Sequence, residues 1–209
     1  MNALVAFAAA LLALRLAGQL FRRWRVARRP ELLAWAWALG AYAVAAAAIA
    51  WGEAAQWDAR AFRVYYAAGA LLTVPLLACG SLLLAGVRRA GAAAFGLAGL
   101  GLGVALAMPV HGAFAAHGIP PAQDHVDWLP RALAIAVNSI GTLVVVGVAL
   151  RSARRRPLGN ALIVLGVATA ALGSGLAGLG AGGAAIGIAV GVALLYAGFV
   201  APARPSAAG

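Results

Sequence analysis

The sequence predicts an all-α bundle of seven transmembrane helices, with the N-terminus outside and the C-terminus cytoplasmic. Three observations lead there. Of 209 residues, 65% are hydrophobic and 10% charged, with a mean hydropathy of +0.95, far from the ~25% charged mix of soluble domains. The apolar residues come in blocks near the ~20 residues that one helical crossing needs. The charge between those blocks alternates in sign along the chain, as topology signals do.

In windows of about 19 residues the spans fall at Ala3 to Leu20, Leu32 to Trp51, Phe62 to Gly86, Ala92 to Val110, Ala132 to Leu150, Ala161 to Ala177 and Ala184 to Val200. They form one domain over residues 1–200, followed by a short disordered cytoplasmic tail, 201–209. Barrel strands would alternate with period two, and nothing here does. Each segment must then satisfy its own backbone polar groups in lipid, which means helix.

Orientation follows from arginine. Every one of the 16 basic residues is Arg, and the net charge is +11. Arg22, Arg23, Arg25, Arg28 and Arg29 follow span one; Arg88 and Arg89 follow span three; Arg151, Arg154, Arg155 and Arg156 follow span five; Arg204 is in the tail. The opposite connections carry Arg60, Arg63 and Arg131 among the acids Glu53, Asp58, Asp124 and Asp127. By the positive-inside rule the Arg-dense turns are cytoplasmic. The expected location is the cell membrane, with lipid as the surrounding partner. Nucleic acid is excluded as a partner, because the basic runs lie where lipid headgroups would meet them. No basic residue precedes the first apolar block, so that block reads as a retained anchor rather than a signal peptide. Trp24, Trp35 and Trp37 near one boundary and Trp51, Trp57 and Trp128 near the other read as interfacial belts.

Some chemistry is excluded outright. Without Lys there is no Schiff base and no Walker-type phosphate lysine. The lone Cys79 offers neither a disulfide nor a metal set and reads as packing. Gly96, Gly99, Gly101 and Gly103 lie within an apolar span with no preceding strand, so they are not a nucleotide loop. Gly183, Gly187 and Gly191 recur every fourth residue, a spacing that lets helices approach closely and serves either internal packing or a homo-oligomer. The short Gly-rich connection 178–183 makes spans six and seven antiparallel neighbours.

Intramembrane polar residues are the best pointers to a site. In span three, Arg63, Tyr66, Ala70 and Thr73 share one α-helical face, and Pro75 near the midpoint supplies a kink or hinge. Span five places Arg131, Ile135, Asn138 and Thr142 on one face. Span two places Tyr42, Ala46, Ile49 and Glu53 on another. Together they predict a ligand-binding pocket that opens outward, with Glu53, Arg63, Tyr66, Thr73, Asn138 and Thr142 as its polar contacts, Pro75 as hinge, and a small solute, ion or lipid as ligand. No cofactor and no metal are expected. A ligand-free structural subunit is the alternative, in which Asn138 joins helices, Arg63 reaches headgroups and Glu53 pairs with Arg60 or Arg63. A third reading is a metal-dependent enzyme at the outer interface. All three histidines, His111, His117 and His125, sit with Asp124 and Asp127 in the longest loop. Their spacing matches no known ligand motif, so the loop is expected to be polar and exposed.

The run Phe62-Arg63-Val64-Tyr65-Tyr66-Ala67-Ala68-Gly69-Ala70-Leu71-Leu72-Thr73-Val74-Pro75-Leu76-Leu77-Ala78, with Asn138-Ser139-Ile140-Gly141-Thr142 later, resembles a group of uncharacterised polytopic membrane proteins of GC-rich bacteria. The resemblance spans most of the chain and implies a multi-pass helical fold; it carries no assigned activity.

Overall fold

The computed structural model of the chain describes residues 2–115 and 118–151 and, beyond them, 157–159, 161–166 and single positions or short groups as far as 198. Among the described residues every regular element is helical: α1 (Asn2–Ala27), α2 (Pro30–Ala55), α3 (Ala59–Tyr65), a π-helical segment (Tyr66–Thr73), α4 (Val74–Leu84), α5 (Ala90–Ala107), α6 (Ala122–His125) and α7 (Trp128–Arg151). The segments from Ala59 to Leu84 form one continuous third span. With α1, α2, α5 and α7 it makes five helices long and apolar enough to cross a membrane. Expected spans six and seven lie mostly outside the described residues, as do the tail 201–209 and Gly183.

Helix ends follow local chemistry. Twenty-six residues carry α1 about 39 Å at ~1.5 Å rise per residue, beyond the expected end at Leu20, so Arg22, Arg23 and Arg25 ride on the helix itself. Arg28 then turns left-handed at φ 54°, its N–H donating to the Trp24 carbonyl at 2.7 Å. Pro30 opens α2, where a missing N–H costs nothing. Asp58 caps α3, its Oδ1 accepting from the Ala61 N–H at 2.7 Å. The fifth span starts at Trp128 rather than Ala132, because Pro130 is tolerated in a first turn.

The third span is the hub, packing against α2, α5 and α7. Two apolar clusters lie along it. The one toward the Arg-rich end gathers Leu16, Leu20, Trp35, Leu39, Leu77 and Val145. The one toward the opposite end, called here the loop end, gathers Ile49, Trp57, Phe62, Tyr66, Leu71 and Met108. No hydrophobic force drives such contacts inside lipid, so close fit must do so, and glycines open the room. An added Cβ at Gly80 would sit 2.4 Å from the Trp35 ring, at Gly52 2.4 Å from Trp57, and at Gly141 2.8 Å from Val74 Cγ1.

Those glycine niches correct the belt expectation. Trp35 and Trp57 are buried, each against its glycine, while Trp37, Trp51 and Trp128 are 64%, 66% and 72% exposed. Residues near the C-terminus show the same close fit. An added Cβ at Gly166 would lie 2.8 Å from the Gly191 carbonyl oxygen, and one at Gly198 2.6 Å from that of Gly159. Gly159, Ile163 and Gly166 therefore lie antiparallel to Gly191, Leu195 and Gly198.

Gly80→Ala is expected to cost about 1–3 kcal/mol, because Trp35 must leave its rotamer or its helix must shift. Gly96→Ala meets nothing within 4 Å and should leave stability unchanged or raise it by up to ~1 kcal/mol. Unfolding of the two variants in detergent, followed by tryptophan fluorescence, separates the two outcomes.

Candidate functional site

The predicted polar residues gather at the loop end and the middle of the bundle, on α2, the third span and α7. Arg63, in the last turn of α3, donates through Nη2 to the Met108 carbonyl at 3.0 Å, at the C-terminus of α5. A guanidinium there also meets the negative end of that helix. Its Nε is buried with no hydrogen-bond partner, and Oε1 of Glu53 near the end of α2 and Nε1 of Trp57 are in the same state. The pairing of Glu53 with Arg60 or Arg63, expected in the structural alternative, is not formed.

Deeper in, Tyr66, Thr73 and Asn138 each donate to a backbone carbonyl. Tyr66 Oη donates to the Pro130 carbonyl at 3.3 Å, tying the third span to the start of α7. Asn138 Nδ2 donates to the Ala70 carbonyl at 2.6 Å and to the Ala134 carbonyl of its own helix at 2.7 Å. Thr73 Oγ1 donates to the Ala68 carbonyl at 2.7 Å. Thr142 follows one turn after Asn138 on α7 and is half-buried. Contacts 66 to 130, 70 to 138 and 74 to 141 advance together, so the third span and α7 run parallel, as two helices crossing in the same direction must.

One sequence expectation fails on geometry. α-Helical spacing puts Arg63, Tyr66, Ala70 and Thr73 on one face, but residues 66–73 form a π-helix, whose wider turn, closed from i to i+5, breaks that alignment. Pro75 lies just beyond, buried in the first turn of α4.

The connection between α5 and α7 is not a simple exposed loop. His125 is only 5% exposed. Its ring stacks on Phe114 at 4.4 Å and lies 5.4 Å from Phe62, and its Nδ1 is 2.8 Å from the His111 carbonyl oxygen. The His111 N–H donates back to the His125 carbonyl at 3.0 Å, closing a clasp over the fully buried Phe62. His111 Nε2 lies 3.4 Å from Asp127 Oδ1 at the surface. His117 is outside the described residues, and among those described no three His, Cys, Asp or Glu side chains gather as a metal ion requires.

Sequence reasoning missed two features. Glu31 is buried at the Arg-rich end and paired with Arg29, the two side chains 2.5 Å apart; the acid directly after Arg28-Arg29-Pro30 was the available signal. The inward turn of His125 was signalled by its apolar neighbour Val126, which is buried beside it.

Phe62→Ala should cost about 3–5 kcal/mol by emptying the aromatic cluster. Tyr66→Phe should cost about 1 kcal/mol, one hydrogen bond of ordinary strength. Equilibrium unfolding in mixed micelles measures both; equal losses would mean the cluster contributes no more than the bond. In comparisons with known proteins, no family model, no curated protein and no solved structure matched the chain, so a functional reading of this helical, membrane-type fold rests on the geometry described.

Proposed function

We propose that the protein binds or transports a small polar solute, ion or lipid headgroup in a pocket that opens outward between α2, the third span and α7. The observation that carries this reading is the set of buried atoms without partners at the corner from α2 to α3: a carboxylate oxygen of Glu53, the indole N–H of Trp57 and the Nε–H of Arg63. Native proteins leave few such atoms, and each costs about 1–3 kcal/mol while unpaired. A ligand offering both donors and acceptors would complete the set, with Glu53 receiving its cationic or N–H group and Arg63 and Trp57 donating to its oxygens. Tyr66, Thr73 and Asn138 lie deeper along the third span and α7, with Thr142 one turn beyond Asn138. The π segment beside Pro75 adds support, because π turns in helices concentrate at functional sites, and irregular backbone at membrane depth is tolerated where it faces protein or a cavity.

Seven spans in the cell membrane, with the N-terminus outside, complete the proposal. Epitope tags in the 85–89 turn and at the C-terminus should be reachable only from the cytoplasm, and a tag in the 109–121 loop only from outside. Both chain ends on the same side would overturn the odd number of crossings.

A second reading, a ligand-free structural subunit, is favoured by the donors of Tyr66, Thr73 and Asn138 all reaching carbonyls of this same chain. Thermal shift of the protein in lipid nanodiscs against a panel of small zwitterions, carboxylates, inorganic cations and short-chain lipids separates the two. At least one compound should raise the melting midpoint of wild type; Glu53→Gln, with a ligand-free midpoint that changes little, and Arg63→Ala, which also loses its bond to Met108, should each abolish the shift. A panel without effect, or shifts that persist in both variants, favours the subunit.

A further inference from the structure

We propose that Asn138 is a latch that holds the third span in its π register, and that the latch fixes the position of the whole loop-end half of that span. The latch needs no ligand and is independent of any solute site.

It begins with a missing hydrogen. Pro75 has no N–H, so one carbonyl earlier in the helix lacks a backbone donor whatever the register. In α geometry the donor to residue i comes from i+4, and the deprived carbonyl is that of Leu71. In π geometry it comes from i+5, and the deprived carbonyl is that of Ala70. The register thus decides which of two adjacent carbonyls stands empty. Asn138 Nδ2 lies 2.6 Å from the Ala70 carbonyl oxygen, the one that only the π register leaves open.

A second side chain selects the same register. Hydroxyls in α-helices bond back three or four residues, and Ser81 does so inside α4, reaching the Leu77 carbonyl at 3.0 Å. Thr73 instead reaches five residues back, to Ala68. The other amide hydrogen of Asn138 is bound to Ala134 of its own helix, which fixes the rotamer that aims at Ala70. Gly141 allows α7 to come close enough, since a Cβ there would strike Val74.

Release of the latch would let the Val74 N–H take the Ala70 carbonyl in an α bond. The half of the span before Ala70 would then turn by about 100° against α4 and move about 1.5 Å, the increment of one residue. That half carries Phe62 in the aromatic cluster, Arg63 on Met108 and Tyr66 on Pro130. All three contacts would change together, which makes the Asn138 bond a single control point for the loop end.

A double-mutant cycle tests it. Pro75→Ala restores an N–H that can serve Ala70 without help from α7. Asn138→Leu is expected to raise the unfolding equilibrium constant about tenfold or more when Pro75 is present, and less than about threefold in the Pro75→Ala background. Spin labels at Arg60→Cys and Leu129→Cys, both exposed, in a Cys79→Ala chain should report a shifted or second distance in Asn138→Leu nanodiscs. An Asn138→Leu chain that fails to fold but is rescued by Pro75→Ala gives the same answer. Equal loss in both backgrounds, or an unchanged label distance in Asn138→Leu, overturns the latch and leaves Asn138 as ordinary glue between helices.

Discussion

Inside a bilayer each backbone carbonyl must find a donor within the protein, because hydrocarbon offers none. Pro75 removes a donor from the middle of the most connected span, and much of the architecture compensates for it. Residues 66–73 widen into a π turn, Thr73 bonds back along its own helix, and α7 approaches closely enough at Gly141 for Asn138 to supply the absent hydrogen. The parallel arrangement of the third span and α7 then places Tyr66 over the start of α7.

Above that joint the character of the contacts changes. Near Ala70 the donors of Thr73 and Asn138 are taken up by main-chain carbonyls; at the corner from α2 to α3 single atoms of Glu53, Trp57 and Arg63 are buried without partners. Over both lies the clasp of His111 and His125, which seats an imidazole against Phe114 and Phe62. Buried polar groups are costly when partly satisfied and rigidifying when fully so. The bundle therefore has a stiff middle and a loop end with hydrogen-bonding capacity in reserve.

How much of this was legible in the sequence depends on the range of the interaction. Hydropathy located five spans, and the polar residues of the site could be singled out because each is rare in its apolar block. Local pattern singles out Pro75 as a hinge and Asn138 as a polar contact. Their relation is carried by the register of one helix against another 63 positions away, which no local pattern encodes. Trp35 and Trp57 look like interfacial anchors from their positions, and only the niches at Gly80 and Gly52 explain their burial. Thr73 left the expected face because α-helical spacing was applied across a π segment. His125 left the surface because two phenylalanines 11 and 63 residues distant form its seat.

The uneven packing of the spans bears on how the chain assembles. Helices α1 and α2 fit closely along their length and the third span seats on α2, whereas α5 buries little beyond Ala90, Gly101 and Ala105 and leaves Phe95 and Leu106 bare. Because synthesis is vectorial and early segments settle first, a three-helix kernel can form before the ribosome has delivered its later neighbours. The Ala70 carbonyl must wait through that interval for Asn138, so the kernel matures only when the fifth span arrives.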